Sequence, residues 1–358
     1  MTRPVGLPAS APVYSVATVL AITAAAGLVP LNSTMIAVAL PTIADDFGIS
    51  TGSVSVLITV YLVAMLVGQP VAGRIADAVG NRRMVTLALA GMIVASCAGA
   101  LAPTFVLLVL ARLAQALCAA ALSPSVQALL RSVTPPDQQG RAFGLMGVVL
   151  GVGAASGPVV GGVLTQIAGW EAIFLVNVPI AAGALIAARR ANVASRDVRE
   201  PTSPDAVVPD GRILNRTFVS CFSVQALSTL AQYALLLLTP IILAARGWGS
   251  GSIGLVLSAL TVGMIVVGPS GGRAGDRYGR RRPIALGLVV ATVATVVLAV
   301  AGASVAAALL VVALAVFGLG LGAATPNLMS SALESVPMER TGSAAGVLST
   351  SRYAGSLT

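Results

Sequence analysis

Gly73-Arg74-Ile75-Ala76-Asp77-Ala78-Val79-Gly80-Asn81-Arg82-Arg83 lies where one long apolar run ends and the next begins. It returns 199 positions later as Gly272-Arg273-Ala274-Gly275-Asp276-Arg277-Tyr278-Gly279-Arg280-Arg281-Arg282, matching Gly-x3-Asp-x2-Gly-x-Arg-Arg at every fixed position. A second echo, Pro124, Ala142 and Gly144 recurring as Pro326, Ala344 and Gly346, has an offset of 202. A repeat of this length means one structural half written twice, an organisation common among secondary transporters.

Composition sets the medium. Of 358 residues, 57% are apolar and 9% charged, against roughly a quarter charged in soluble domains. The apolar residues fall in runs of about 20, the length a helix needs to cross hydrocarbon. Spans are expected at 14–40, 52–74, 84–102, 105–130, 142–167, 172–189, 217–245, 252–274, 283–302, 304–332 and 341–358. Residues 190–216 hold Arg196, Asp197, Arg199, Glu200, Asp205, Asp210, Arg212 and three prolines. That polar stretch reads as a cytoplasmic linker between an N-terminal bundle, 1–189, and a C-terminal bundle, 217–358. The expected fold is an all-α polytopic membrane protein of two pseudo-symmetric six-helix bundles. The second is expected to be short by about one helix, because its last run stops at Thr358.

The net charge of +9 comes with 21 arginines and no lysine or histidine. Eighteen of them fall in the N-terminal tail or in alternate interhelical loops, Arg246 lies on the other side, and Arg112 and Arg352 lie inside spans. By the positive-inside rule the N-terminus and linker face the cytoplasm. The expected location is a plasma membrane, a bacterial inner membrane given the arginine-for-lysine usage of a GC-rich genome. No aromatic-interleaved basic face exists, so nucleic acid is not an expected partner. The lipid bilayer and a small-molecule substrate are, and a monomer is expected. Cys97, Cys118 and Cys221 are irregularly spaced and histidine is absent, so no disulfide, metal or other cofactor is expected. No nucleophile–base set suggests an enzyme, and no ring of charge or filter-like loop suggests a channel.

Further motifs sit in the spans. Span 1 ends in Leu31-Asn32-Ser33-Thr34-Met35-Ile36-Ala37-Val38-Ala39-Leu40-Pro41, followed by Asp45 and Asp46. Span 4 carries Arg112 and Gln115, then Ser123-Pro124; span 5 carries Gly153, Gly157-Pro158 and Gly161-Gly162; Trp170 to Pro179 join spans 5 and 6. In these elements, taken in order over nearly the whole chain, the sequence resembles the major facilitator superfamily, specifically its drug:proton antiporter branch. The glycine–aspartate–arginine element is similar to the signature loop between spans 2 and 3, Arg112 and Gln115 to the span-4 signature, and Gly153 to Gly162 to the span-5 antiporter motif. Asn32 to Pro41 resembles that branch's span-1 motif, and the linker without an extra pair of spans favours the twelve-span plan. The resemblance implies export by a transporter, coupled to protons if the branch's rule holds.

Each motif also has a physical reading. Gly73 and Gly272 permit close helix approach, while Gly80 and Gly279 permit a backbone angle other residues resist. Asp77 and Asp276 can pair with arginine or meet a positive helix N-terminus on the facing bundle. With Arg82, Arg83, Arg281 and Arg282 they form the expected gate between rocking halves. Arg112 lies mid-span, where a charge costs about 2.5 kcal/mol or more, so it needs a partner; Gln115 shares its face one turn on. Arg112 and Gln115 are placed at a substrate cavity with Asn32, Tyr61, Gln225 and Tyr233, and Arg352, with Asn327 in span 10, at the second half of that cavity. Helix-packing hydrogen bonds are the plainer role for Tyr61, Gln225 and Tyr233. Gly153, Gly157 and Gly161 form one smooth helix face that Pro158 bends. Asn32 stands where the resembled branch commonly has an acidic residue, and no Asp or Glu falls inside any span. The readings carried forward are efflux of amphipathic, drug-like compounds by alternating access, transport of an organic anion held by Arg112 and Arg352, and a non-transporting family member.

Overall fold

The computed structural model describes residues 16–190, 213–248, 250–302 and 306–354, and helices stand at each of the eleven expected places. In chain order they are α1 (Val16–Asp46), α2 (Val56–Val79), α3 (Asn81–Ala100), α4 (Phe105–Val133), α5 (Gln139–Ala168) and α6 (Asn177–Arg190). Then follow α7 (Arg216–Ala245), α8 (Ser250–Tyr278), α9 (Arg281–Ala301), α10 (Ala307–Glu334) and α11 (Thr341–Ala354). Among the described residues nine helices are long and apolar enough to cross a membrane, and Ala172–Ala187 is a shorter apolar one. Most of the expected linker, 191–212, lies outside the described residues.

The helices end where the sequence makes them end. Gly80 (φ 96°) and Gly279 (φ 83°) carry the chain out of α2 and α8 in the left-handed region that glycine tolerates. Thr104 caps α4, its hydroxyl accepting from the Leu107 N–H at 3.4 Å. One-turn 3₁₀ helices, Pro136–Gln138 and Met338–Arg340, introduce α5 and α11.

The repeat is visible in the proline positions. Pro41 and Pro70 lie within α1 and α2; Pro240 and Pro269 lie within α7 and α8, at the same 199-residue offset. Each removes a backbone donor and bends its helix, so the two halves share bends as well as sequence.

Alternation of direction puts the loops holding Arg82, Arg83 and Arg280 to Arg282 at one end, and Arg246 at the other. The arginine-poor end of the first half is closed by an aromatic plug. Phe47 lies 6.0 Å from Phe105 and 5.7 Å from Trp170, ring centre to ring centre, and the Trp170 indole donates to Asp46 Oδ2 at 3.0 Å.

The glycine face of α5 lies on α1. A side-chain carbon on Gly153 would come within 2.6 Å of the Gly27 carbonyl oxygen, one on Gly157 within 2.9 Å of Thr34 Cβ, and one on Gly161 within 2.9 Å of the Met35 carbonyl oxygen. Gly162 points elsewhere, with Val38 Cγ1 its nearest neighbour at 3.7 Å. Gly157→Val should therefore destabilise the protein by about 1–3 kcal/mol through overpacking. Gly162→Ala should leave the melting temperature of the purified protein unchanged.

Candidate functional site: a buried arginine and two mirrored latches

Seven residues into α4, about 10 Å along its axis, Arg112 is 1% exposed. Its Nη1 donates to Asn32 Oδ1 at 2.8 Å and to Gln115 Oε1 at 3.2 Å, and its Nη2 donates to the Asn32 carbonyl oxygen at 3.2 Å. The Tyr61 ring covers the guanidinium, with Cζ 4.3 Å from the ring centre, and the Tyr61 hydroxyl donates to the Val29 carbonyl at 3.2 Å. Gln115 passes the chain on, its amide donating to Ser96 Oγ at 2.9 Å. Four residues singled out in the sequence thus form one cluster between α1, α2 and α4. Ser96, from α3, completes it; a serine in an apolar run gives no signal that would single it out.

Asn32 is the first partner of the buried charge. The aspartates and glutamates among the described residues, Asp45, Asp46, Asp77, Asp137, Glu171, Asp276, Glu334 and Glu339, all sit at helix ends or between helices. Among the described residues the guanidinium is held by amides, a carbonyl and a π face.

The second assembly lies at the arginine-rich end. Asp77, at the end of α2, accepts from the Gly342 N–H at 2.7 Å, from the Ser343 N–H at 2.8 Å and from the Ser343 hydroxyl. Gly342 and Ser343 open α11. In the other half Asp276, at the end of α8, accepts from the Gly140 N–H at 2.8 Å and the Arg141 N–H at 2.9 Å, which open α5. A helix's first N–H groups have no partner within the helix and carry the positive end of its dipole, so a carboxylate there satisfies both. The latches map onto each other through the sequence repeat. Gly73 meets the Gly342 backbone as Gly272 meets that of Gly140, and Gly346 meets the Gln69 carbonyl as Gly144 meets that of Gly268. The aspartates thus meet helix N-termini across the halves, the second of the two pairings the sequence allowed, while Arg83, Arg281 and Arg282 point into solvent.

Across this end lie contacts the sequence did not announce. Arg131, buried at the foot of α4, donates to Thr341 Oγ1 at 2.6 Å and to the Val336 carbonyl at 3.0 Å. Arg280 pairs with Glu334, lies 4.0 Å from Asp276 and donates to the Pro136 carbonyl at 3.2 Å. Deeper in, the Gln127 amide donates to Ser349 Oγ at 2.9 Å. All but the Arg280 carboxylate pairs join one half to the other.

The two caps repeat with the sequence, one carboxylate from each half meeting a helix N-terminus of the other. The pattern of the Major Facilitator Superfamily matches residues 22–358. The chain belongs to that family. It is therefore a multi-pass membrane transporter. Among curated relatives, the uncharacterized transporter YvkA of Bacillus subtilis is 28% identical over 92% of this chain and 86% of its own length. The tetracenomycin C resistance and export protein of Streptomyces glaucescens is 33% identical over 52% of this chain and 35% of its own. The multidrug efflux pump LfrA of Mycolicibacterium smegmatis is 32% identical over 51% of this chain and 36% of its own. The fold is that of the human organic anion transporter MFSD10, with a TM-score of 0.73 and 16% identity over 95% of this chain and 92% of that one.

The other residues expected at a cavity are placed apart from Arg112. Asn327 lies buried between α8 and α10, its amide donating to the Gly271 and Ala323 carbonyls at 2.9 Å each, so it holds two helices together. Gln225 donates one turn along its own helix to Thr229 Oγ1 at 3.3 Å. Tyr233 is 44% exposed, and Arg352 is half-buried near the end of α11.

Proposed function

We propose that this transporter exports small amphipathic, drug-like compounds by alternating access, as a monomer with its N-terminus and arginine-rich end in the cytoplasm. The observation that carries this reading is the paired latch: two carboxylates at one end tie each half to the other through N–H groups that open when the halves rock. The arrangement here is then the state shut towards the cytoplasm. Apolar helices with few polar anchors suit hydrophobic cargo, and two relatives, a resistance and export protein and a multidrug efflux pump, favour the outward direction. Proton coupling in this reading falls to Asp77 and Asp276, the carboxylates poised between the halves. A protonated aspartate gives up the charge that balances the facing helix N-terminus, so the latch weakens.

Everted vesicles energised by a proton gradient and given external fluorescent amphipathic dyes, one anionic and one neutral, test the reading. Dye accumulation that needs the protein and collapses with the gradient is expected. Accumulation that survives loss of the gradient would sink proton coupling alone, and vesicles no different from protein-free controls would sink export.

A further inference from the structure

We propose that the buried cluster around Arg112 is an anion-binding site, and that the compound this transporter carries presents a carboxylate or similar oxyanion to it. The inference deepens the export reading and rests on it for the cargo's route. It starts from a deficit of charge. A guanidinium cannot lose its proton at ordinary pH, and one taken out of water needs a compensating negative charge or pays heavily for its absence. Arg112 is 1% exposed, yet its partners are the neutral Asn32, Gln115 and Tyr61.

A deficit of acceptors points the same way. Two side-chain atoms of the cluster are buried without a partner, Arg112 Nε and Asn32 Nδ2, and both are donors. They belong to residues already joined by the 2.8 Å bond from Arg112 Nη1 to Asn32 Oδ1. Asn32 Oδ1, Gln115 Oε1, the Asn32 carbonyl and Ser96 Oγ each take a bond from another donor, and none is bonded by Arg112 Nε or Asn32 Nδ2. What the cluster lacks is negative charge with free lone pairs, which an oxyanion supplies and a neutral group or a cation does not. A water could accept the two bonds and would leave the charge uncompensated.

The cluster lies about 10 Å from the arginine-poor end of α4, between the aromatic plug at that end and the latches at the other. Asn32 leaves the guanidinium without a countercharge. An aspartate there would neutralise the guanidinium from within.

The test uses three near-isosteric probes on the purified full chain: 2-naphthoate, neutral 2-naphthamide and cationic 2-naphthylmethylamine, with binding read by tryptophan fluorescence and thermal stabilisation. Naphthoate should bind about tenfold or more tighter than the amide. Arg112→Gln should erase that preference and Arg112→Lys retain part of it. Asn32→Asp should erase it too while raising the melting temperature, because the carboxylate pairs with Arg112; this variant carries the test if Arg112→Gln does not fold. A merely structural Arg112 would change stability in these variants without any difference between the probes. Equal or absent binding of naphthoate and naphthamide by the parent chain, or a preference that survives both Arg112→Gln and Asn32→Asp, overturns the proposal. Its fate separates from that of export in the vesicle assay. Arg112-dependent binding of naphthoate with no movement of it at alkaline pH would keep the site and sink export. Movement of the amide as fast as the acid, with equal binding, would keep export and sink the site.

Discussion

Asp77→Asn is expected to open the arginine-rich end and to cut transport more deeply than Asp276→Asn. An asparagine keeps one acceptor and turns an NH2 towards donors, so at least one charge-assisted bond is lost and an N–H pair is left facing another. Asp77 has three donors, the Gly342 and Ser343 N–H groups and the Ser343 hydroxyl. Asp276 has two, with Arg280 only 4.0 Å away to share its charge. A loss of about 2–3 kcal/mol per latch is a shift on the order of 30- to 150-fold in the balance of closed and open forms. Spin labels replacing exposed Arg83 and Met338, one on each half, read that shift directly. The main distance should lengthen in Asp77→Asn, and an unchanged distribution would mean that the carboxylate does not hold the end shut.

A larger block is expected from valine at Gly73 or Gly272. At both positions a side-chain carbon runs into the backbone of the facing helix, the Gly342 carbonyl in one half and the Gly140 carbonyl in the other. Backbone cannot rotate away as a side chain can, so the halves must part to admit the valine. The wedge breaks the adjacent latch as well, since Gly342 and Gly140 donate to the aspartates. Transport should fall by about two orders of magnitude or more in either variant, with the spin-label distance lengthened and the helical content by circular dichroism unchanged. Gly80→Ala is the control. Its φ of 96° strains an alanine, but no atom lies within 4 Å of the new carbon, so closure should persist. If Gly73→Val closes and transports like the parent, close approach of α2 and α11 is not part of the cycle.

The latches show how far the sequence could be read. Asp77 and Asp276 were legible because the repeat fixes them with their glycines, and an intact carboxylate in two otherwise diverging copies calls for a partner. Which partner could not be read: Arg74, Arg82 and Arg83 lie within six residues of Asp77, while Gly342 and Ser343 lie more than 260 residues away. The choice fell to the helix N-terminus because its N–H groups have no partner of their own, whereas a solvated arginine satisfies itself with water. Arg131 and Arg280 were missed for a related reason. At a helix end near a loop rich in arginine, topology alone accounts for an arginine, and nothing local marks the ones that reach across to Thr341, Val336 or Pro136.

Asn327 and Asn32 divide the same way. Both are amides in apolar helices and read alike in sequence, yet Asn327 spends both amide hydrogens on neighbouring backbone and Asn32 faces a buried cation. The sequence by itself determined the medium, the helices, the duplication and the residues too polar to be idle, because hydrophobic length, proline, glycine and charge act locally. Only the tertiary structure decided which polar groups meet, since pairing depends on helix rotation and crossing, set by contacts between residues far apart in the chain. That is where the two aspartates became mirrored latches and where a lone arginine acquired an asparagine in place of an acid.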